Sequence, residues 1–265
     1  MAITEIIWNP EDYARNSCGQ LVWAHELLVK LKLCGREAIL DVGCGDGKIT
    51  AEVAKAVPNG FVLGVDSSIA FIEYARSHYP LAMHPNLQFE QMDARRLVYN
   101  QQFDIIFSNA TLHWVDDHRA FLAGCRSLLR PGGRLIVSCG GAGNADDIVA
   151  VMNNIIREPK WAGYFTNFKR PYFFYSPEDY RRWLPEAGFY LTRLELVEKD
   201  MVPKGGEGLA SWLRTTWMPY THCVPENMRQ TFILECVDVY LREHPLDNSG
   251  RSHVKMIRLE VEAHI

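Results

Sequence analysis

Three alternating glycines, Gly43, Gly45 and Gly47, directly follow an apolar segment of this chain. A strand that turns through glycines into a helix brings its backbone close to a ligand and points N–H groups at it. Phosphates, dinucleotides and sulfonium nucleosides are all bound in this way. A P-loop requires Gly-Lys-Ser/Thr after a four-residue gap, but Lys48 is followed by isoleucine. The dinucleotide fingerprint GxGxxG requires glycine at position 48, where this chain has lysine. The remaining pattern is Asp-x-Gly-x-Gly-x-Gly, which begins at Asp41.

Polar residues also follow the next three predicted strands. Asp66 ends the second strand, where a carboxylate can accept two hydrogen bonds from a ribose diol. NAD and other nucleosides share that diol, so Asp66 alone does not identify the ligand. Asp93 follows the third strand, where its carboxylate can meet an adenine amino group. Asn109 and Ala110 follow the fourth, beside the reacting end of the ligand. Four such strand ends together indicate a nucleoside site more specifically than the glycine loop does.

The elements that must position these residues alternate between strands and helices, which predicts a parallel sheet covered by helices. Ser17 is predicted to cap a first helix that runs to about Leu33. The predicted strands lie at 38–42, 61–65, 87–91, 103–108 and 133–139. Further helices are predicted near 47–57, 67–78 and 117–129, the last ended by the turn signal of residues 130–133. Ligands of such sheets bind outside the carboxyl ends of the strands.

The second half of the chain departs from this alternation. Helices are predicted near 145–157, 176–187, 209–217 and 225–243, with a glycine-rich hinge at 205–208 and strands at 189–198 and 254–263. Segments outside the alternation are predicted to form a helical cap over the mouth of the sheet. The predicted division is a ligand-binding core with the N-terminal helix at 1–141, a first cap segment at 142–175, a core helix and strand at 176–204, a second cap segment at 205–246, and a final core strand at 247–265.

Composition excludes several classes of function. The 265 residues carry 28 basic and 32 acidic side chains, a net charge of −4 that argues against nucleic acid as a partner. No apolar run reaches membrane-spanning length and the N-terminus has no signal-peptide pattern, so we expect no membrane partner and a cytoplasmic location. The seven cysteines form no CxxC pair and the histidines show no ligand spacing, so reduced thiols and no metal site are expected.

With these motifs the chain resembles the class I S-adenosylmethionine-dependent methyltransferases. Within them it is similar to the trans-aconitate and juvenile hormone acid methyltransferases, which methylate carboxyl groups of small molecules. The resemblance rests on WNPEDY, DVGCGDG, GVDSS, MDA, FSNATLHWVDDH, LLRPGG and SWLRTTWMPY. It implies S-adenosylmethionine as cofactor and a Rossmann-like, doubly wound α/β fold. The sheet of that fold has seven strands, the last of them antiparallel, and a helical cap formed by C-terminal insertions.

The resemblance also assigns roles to individual residues. The implied cofactor contacts are Tyr13 and Gln20 over the amino-acid end, Asp41, Gly43 and Gly45 along the methionine part, Asp66 on the ribose hydroxyls, Ser67, Asp93 and Ala94 around the adenine, and Asn109 and Ala110 beside the reacting end. His113 and Trp114 lie just past the fourth strand, nearest the transferred methyl group. Trans-aconitate methyltransferases carry glutamine where His113 stands, whereas the juvenile hormone acid type carries His-Trp.

The implied reaction is O-methylation of a small carboxylic acid by in-line displacement, with the cap excluding water. A carboxylate is ionised at neutral pH and needs no general base, so His113 and Trp114 would orient its oxygen. One alternative is methylation of an alcohol, phenol, amine or carbon, with His113 as the base. Another is a catalytically silent cofactor-binding subunit. A nucleic-acid methyltransferase is disfavoured because the sequence from Ser108 to Thr111 lacks the [DNS]-Pro-Pro-[YFW] motif.

Overall fold

The computed structural model describes the backbone from Cys18 to Ile265 and the side chains from Trp23 onward. The helices are α1 Cys18–Leu31, α2 Lys48–Ala56, α3 Ile69–His78, α4 His118–Leu128, α5 Asp146–Ile155, α6 Pro177–Glu186, α7 Gly205–Thr216, α8 Met218–Thr221 and α9 Glu226–Glu243. The strands are β1 Ala38–Val42, β2 Phe61–Asp66, β3 Leu87–Gln91, β4 Phe103–Asn109, β5 Leu129–Gly140, β6 Tyr190–Met201 and β7 Val254–His264. Short 3-10 turns occupy Ala94–Arg96, Leu112–Trp114 and Ala162–Phe165.

These strands form a seven-stranded sheet of order β3-β2-β1-β4-β5-β7-β6. The pairs among β1 to β5 are parallel, whereas β7 runs antiparallel to β5. The predicted Rossmann-like sheet with an antiparallel last strand is therefore confirmed. The strand order reverses between β1 and β4, and ligands of open α/β sheets bind in the crevice at such a switch point. The loop that begins at Gly43 leaves β1 at this crevice.

The sheet is covered on both faces, which explains why its central strands are mostly apolar. Consecutive side chains of a strand point to opposite faces. In β1, Leu40 belongs to the core cluster that includes Phe121 of α4 and Tyr180 of α6. Its neighbour Ile39 belongs to the cluster on the other face, formed with residues of α1, α2 and α3. A fully buried leucine or isoleucine contributes about 1.5–3 kcal/mol to folding, so both layers stabilise the central strands whose carboxyl ends carry the site.

The described residues form two compact units. The sheet unit comprises 18–142, 172–197 and 258–265, and the second unit comprises 143–171 and 198–257. The aromatic residues from Tyr172 to Tyr175 thus belong with the sheet. The role of the second unit as a cap stays a prediction. No helix in the part of the chain with described coordinates is long and apolar enough to cross a membrane.

Two local predictions are wrong. The expected hinge at 205–208 is the first turn of α7, since that helix begins at Gly205. The predicted end of the helix before residue 130 is confirmed, since α4 ends at Leu128. The expected turn at 130–133 instead lies inside β5, which starts at Leu129 and shifts its register against β4. Gly132 adopts a φ of +78° there. Its N–H donates to the carbonyl of Ile265, and the N–H of Ile265 donates to the carbonyl of Gly133. A glycine therefore permits a bulge where the sequence suggests that the strand has not yet begun.

Candidate active site

The glycine loop is fastened to β2 by its backbone. The N–H groups of Gly43 and Cys44 donate to the carbonyl of Val65 at 2.7 and 3.0 Å. Gly43 has a φ of +81°, and a Cβ added to it would lie 2.1 Å from the side chain of Thr111. Thr111 in turn donates its hydroxyl to the carbonyl of Gly43 at 3.0 Å. Glycine is required at position 43 for both conformation and space, and the contact joins the loops after β1 and β4.

Gly45 differs from its neighbours because it borders open space. A Cβ built on Gly45 would meet no heavy atom of the described residues within 4 Å, whereas one on Gly47 would lie 2.8 Å from the ring of Phe89. The N–H of Gly45 donates to Oδ2 of Asp66 at 3.1 Å. The loop therefore offers a backbone surface that a ligand can approach closely, next to a carboxylate.

Asp66 ends β2 and is held by backbone donors on both oxygens. The N–H of Ser68 donates to Oδ1 at 2.9 Å, and Gly45 occupies Oδ2. Burial raises the pKa of Asp66 above its ordinary value of 3.8, while the N–H groups of Ser68, Gly45 and Ser67 oppose that rise. Each carboxylate oxygen has two lone pairs, so the oriented carboxylate can still accept both hydroxyls of a ribose. Ser67, predicted near the adenine, accepts the side-chain amide of Gln91 on its carbonyl at 2.9 Å.

Asp41 lies beneath the loop and is only 3% exposed. Its Oδ2 accepts the hydroxyl of Thr50 at 2.6 Å, which connects β1 to α2. Burial raises the pKa of Asp41 to about 7, the Thr50 hydrogen bond lowers it, and the charge of Asp66 raises it further. The predicted contact of Asp41 with the cofactor stays a prediction.

Asp93 follows β3 and begins the Ala94–Arg96 turn. Its carboxylate accepts the backbone N–H of Arg95 at 2.8 Å and the Arg95 guanidinium on both oxygens. These bonds lower the pKa of Asp93 below its ordinary value, against the effect of burial. Arg95 also reaches Asp116 at 3.1 Å. Ala94 packs into the sheet core at 8% exposure. Any contact of Asp93 with adenine would use the lone pairs that Arg95 leaves.

At the carboxyl end of β4 the backbone is strained but held by hydrogen bonds. Ala110 adopts a φ of +57°, a left-handed conformation that costs an L-residue roughly 1–2 kcal/mol. Its N–H donates to the carbonyl of Ser138 on β5 at 2.8 Å. The side-chain oxygen of Asn109 accepts a hydrogen bond from Nη2 of Arg258 at 3.1 Å. Thr111 and Arg258 are not among the site residues predicted from the sequence. Arg258 lies on β7, where no local signal marks it as a residue of the site.

His113 lies in the Leu112–Trp114 turn and is held by two neighbouring segments. The N–H of Gly140 donates to its Nδ1 at 3.3 Å, and the N–H of Phe173 donates to its carbonyl at 2.9 Å. Burial lowers the pKa of His113 to about 3, with further contributions from the charges of Arg258 and His118. The ring is therefore neutral at physiological pH. Because Nδ1 accepts a hydrogen bond, we place the ring proton on Nε2.

A second histidine supports this turn from below. His118, 2% exposed, donates from Nε2 to the carbonyl of Leu112 at 2.7 Å, and its Nδ1 accepts the hydroxyl of Tyr180 at 2.7 Å. His118 is thus a buried, fully bonded structural residue. Trp114 is partly buried with its ring 4.8 Å from that of Tyr172. The structure places His113 and Trp114 just after the carboxyl end of β4, as the sequence predicts.

Two predicted cofactor residues cannot be placed by side chain. Tyr13 lies outside the described residues. Gln20 lies in α1, but its side chain is outside the described part of the structure. The contacts predicted for both residues over the amino-acid end of the cofactor stay predictions.

Comparisons with known proteins find a matching family and several similar chains. Residues 39–133 match a family described as a methyltransferase domain. The chain is 33% identical to a trans-aconitate 2-methyltransferase of Deinococcus radiodurans over 223 residues, 80% of this chain and 82% of that protein. It is 28% identical to the uncharacterized methyltransferase C70.08c of Schizosaccharomyces pombe over 264 residues, 98% of each chain. Its fold is similar to that of the solved YcgJ protein from Bacillus subtilis, with a TM-score of 0.60, 17% identity and coverage of 92% and 98%.

Proposed function

Since the chain belongs to the class I S-adenosylmethionine-dependent methyltransferases, we propose that it methylates a carboxylate oxygen of a small organic acid. It is an enzyme with S-adenosylmethionine as its cofactor. The proposed acceptor class is supported by the relative from Deinococcus radiodurans, which is named for trans-aconitate, a carboxylic acid. It is further supported by the chemistry that the residues after β4 can perform.

The residues at the switch point fit the cofactor. When bound, S-adenosylmethionine supplies an electrophilic methyl group, and its transfer to a carboxylate leaves a methyl ester and S-adenosylhomocysteine. The open space at Gly45 admits the cofactor close to the backbone. Asp66, held in place by two N–H donors, would accept the ribose hydroxyls. In this proposal Gly45 and Asp66 bind and orient the cofactor, and neither residue transfers a proton.

The hydrogen bond from the N–H of Gly140 to Nδ1 of His113 is the observation that carries the proposed acceptor. A carboxylic acid has an ordinary pKa of about 4 and arrives ionised at neutral pH, so no base is needed. An alcohol must instead lose a proton, and a base works best when its pKa lies near the working pH. With a pKa of about 3 and Nδ1 occupied by Gly140, His113 is a poor base. Its Nε2–H is a good donor to a carboxylate oxygen.

Charge balance favours the same acceptor. The negative carboxylate and the positive sulfonium neutralise each other as the new C–O bond forms and the C–S bond breaks, with the bonding pair returning to sulfur. Surroundings of low polarity therefore oppose the separated charges more than the transition state. That the cap segments at 142–175 and 205–246 exclude water from this reaction is part of the proposal.

The decisive experiment is a panel of organic acids, amines and phenols assayed for release of S-adenosylhomocysteine. We expect turnover of one or more acids to methyl esters. In His113→Phe, which removes the Nε2 donor, kcat/KM for the acid should fall about 10- to 100-fold, the scale of one hydrogen bond to a charged group. High pH should not rescue this loss. His78→Phe, at an exposed position on α3, is the matched control.

Three outcomes contradict the proposal. Turnover of amines or phenols but not of acids would refute the carboxylate acceptor. A His113→Phe variant whose activity recovers as pH rises would identify His113 as a base and favour an uncharged nucleophile. Binding of S-adenosylhomocysteine without turnover of any compound in the panel would favour a silent cofactor-binding subunit.

A further inference from the structure

A buried guanidinium lies at the carboxyl ends of β4 and β5. Arg258 on β7 is 4% exposed, and its Cζ lies 5.9 Å from the ring centre of Trp23. Its Nη2 donates to the carbonyl of Ser138 at 2.6 Å and to the side-chain oxygen of Asn109 at 3.1 Å. Its Nε lies 3.2 Å from the hydroxyl of Ser138. These contacts fix the guanidinium rigidly, since its planar fork has several bonds to different groups.

This arrangement decides which way the amide of Asn109 faces. A guanidinium can only donate, so the Asn109 atom that it contacts is the acceptor oxygen, Oδ1. The other end of the amide, the NH₂ group, can only donate. Asn109 is partly exposed, whereas Arg258 behind it is buried. With Oδ1 held by Arg258, the NH₂ group is the part of the Asn109 amide that can donate to a ligand at this strand end.

We propose that Arg258 is a positioning residue that selects the acceptor atom: by holding Oδ1 of Asn109, it makes Asn109 a hydrogen-bond donor to a carboxylate. A carboxylate oxygen has lone pairs for both the donor and the methyl carbon. An amine has one lone pair, which must attack the methyl group, and its N–H groups need an acceptor. The NH₂ group of Asn109 would compete for the lone pair of the amine, and it offers no acceptor for the N–H groups of the amine. The inference rests on the proposed carboxylate acceptor and deepens it.

The same guanidinium supports the neighbouring groups. The carbonyl of Ser138 that accepts Nη2 of Arg258 also accepts the N–H of Ala110, the residue in the strained left-handed conformation. The positive charge of Arg258 also helps to keep His113 neutral. Asn109 and His113 therefore both present donors after β4. Two donors suit the two oxygens of one carboxylate.

The test compares variants of each partner. Arg258→Met removes the donors and approximately keeps the length of the side chain, and Asn109→Asp removes the NH₂ group at constant size. Arg134→Met is the matched control, because Arg134 also lies in the sheet and donates to a backbone carbonyl, that of Leu31. The readouts are kcat/KM for acids and amines, calorimetric affinity of the S-adenosylhomocysteine-loaded enzyme for an acid, affinity for S-adenosylhomocysteine, and thermal unfolding.

We expect Arg258→Met and Asn109→Asp each to lower kcat/KM and binding for the acid about 10- to 100-fold, the effect of one hydrogen bond to a charged group. Activity toward amines should change less than about 3-fold, or rise, and affinity for S-adenosylhomocysteine should stay within about 3-fold. The double variant should lose little more than the worse single variant, because both act through one amide. Arg258→Lys should recover part of the loss, since one donor returns.

The failure modes are distinct. If the wild type methylates acids but Arg258→Met behaves like Arg134→Met, the inference is overturned and the proposed function stands. If the wild type neither binds nor methylates any acid, the proposed function fails, and with it the inference. Should Arg258→Met not fold, Asn109→Ala decides the question. An unchanged preference for acids over amines in that variant overturns the inference, and a lost preference supports it.

Discussion

Asp41 gives a prediction in which the charge of one buried carboxylate is isolated. Asp41→Asn keeps an oxygen that can accept the hydroxyl of Thr50, so the hydrogen bond at 2.6 Å is preserved while the negative charge is removed. The site is 3% exposed, and the side chains are nearly equal in size. Any pH-dependent difference between the two proteins therefore reports the ionisation of Asp41.

The magnitude follows from the raised pKa. Burial raises the pKa of Asp41 from 3.8 to about 7, a rise of about three pH units. At about 1.4 kcal/mol per unit, protonation of Asp41 is about 4 kcal/mol more favourable in the folded state than in the unfolded state, and it stabilises the fold by that amount. That stability is fully present below pH 3.8, where both folded and unfolded states are protonated. It is lost as pH rises through about 7, because the folded protein must then hold the charge.

The assay is urea unfolding of both proteins, without ligand, at intervals from pH 4 to pH 8.5. The free energy of unfolding of the wild type should fall relative to that of Asp41→Asn by up to about 4 kcal/mol across this range. Thr50→Val, which removes the hydroxyl donor, should enlarge the loss at high pH. Asp238→Asn, on the exposed side of α9, measures the effect of removing one surface charge. Parallel curves for wild type and Asp41→Asn would refute the buried-charge explanation.

Other predictions concern the cofactor end of the site. Asp66→Ala should weaken S-adenosylhomocysteine binding by about 1.5–3 kcal/mol in calorimetry, and unchanged affinity would count against the ribose assignment. In the wild type this affinity should rise with pH through the raised pKa of Asp66, because ribose hydroxyls favour the charged form. Gly45→Ala should fold with a loss of about 1 kcal/mol but bind S-adenosylhomocysteine poorly, since its Cβ enters the open space. Gly43→Ala should lose much more stability, because its Cβ overlaps Thr111; a well-folded Gly43→Ala would contradict that contact.

Local patterns determined the sheet. The strands predicted at 38–42 and 87–91 coincide with β1 and β3. β1 is a short buried run in the middle of the sheet, whereas the edge strand β3 begins with alternating buried and exposed residues. Glycine spacing located the loop after β1 because positive φ is a property of the residue itself. The polar residues at strand ends were predictable too, since parallel strands in a wound sheet end at one edge.

The tertiary structure alone decided how these residues are oriented. Arg258 is 149 positions from Asn109, yet it fixes the direction of that amide. Nδ1 of His113 is occupied by Gly140 on another strand, which makes the ring a donor. The side chain of Thr111 occupies the space that a Cβ at position 43 would need. Periodicity encodes the face on which a side chain lies, but not which distant backbone group it meets. The sequence by itself therefore determined the fold and the ligand class, whereas the direction of each hydrogen bond depended on strands brought together by folding.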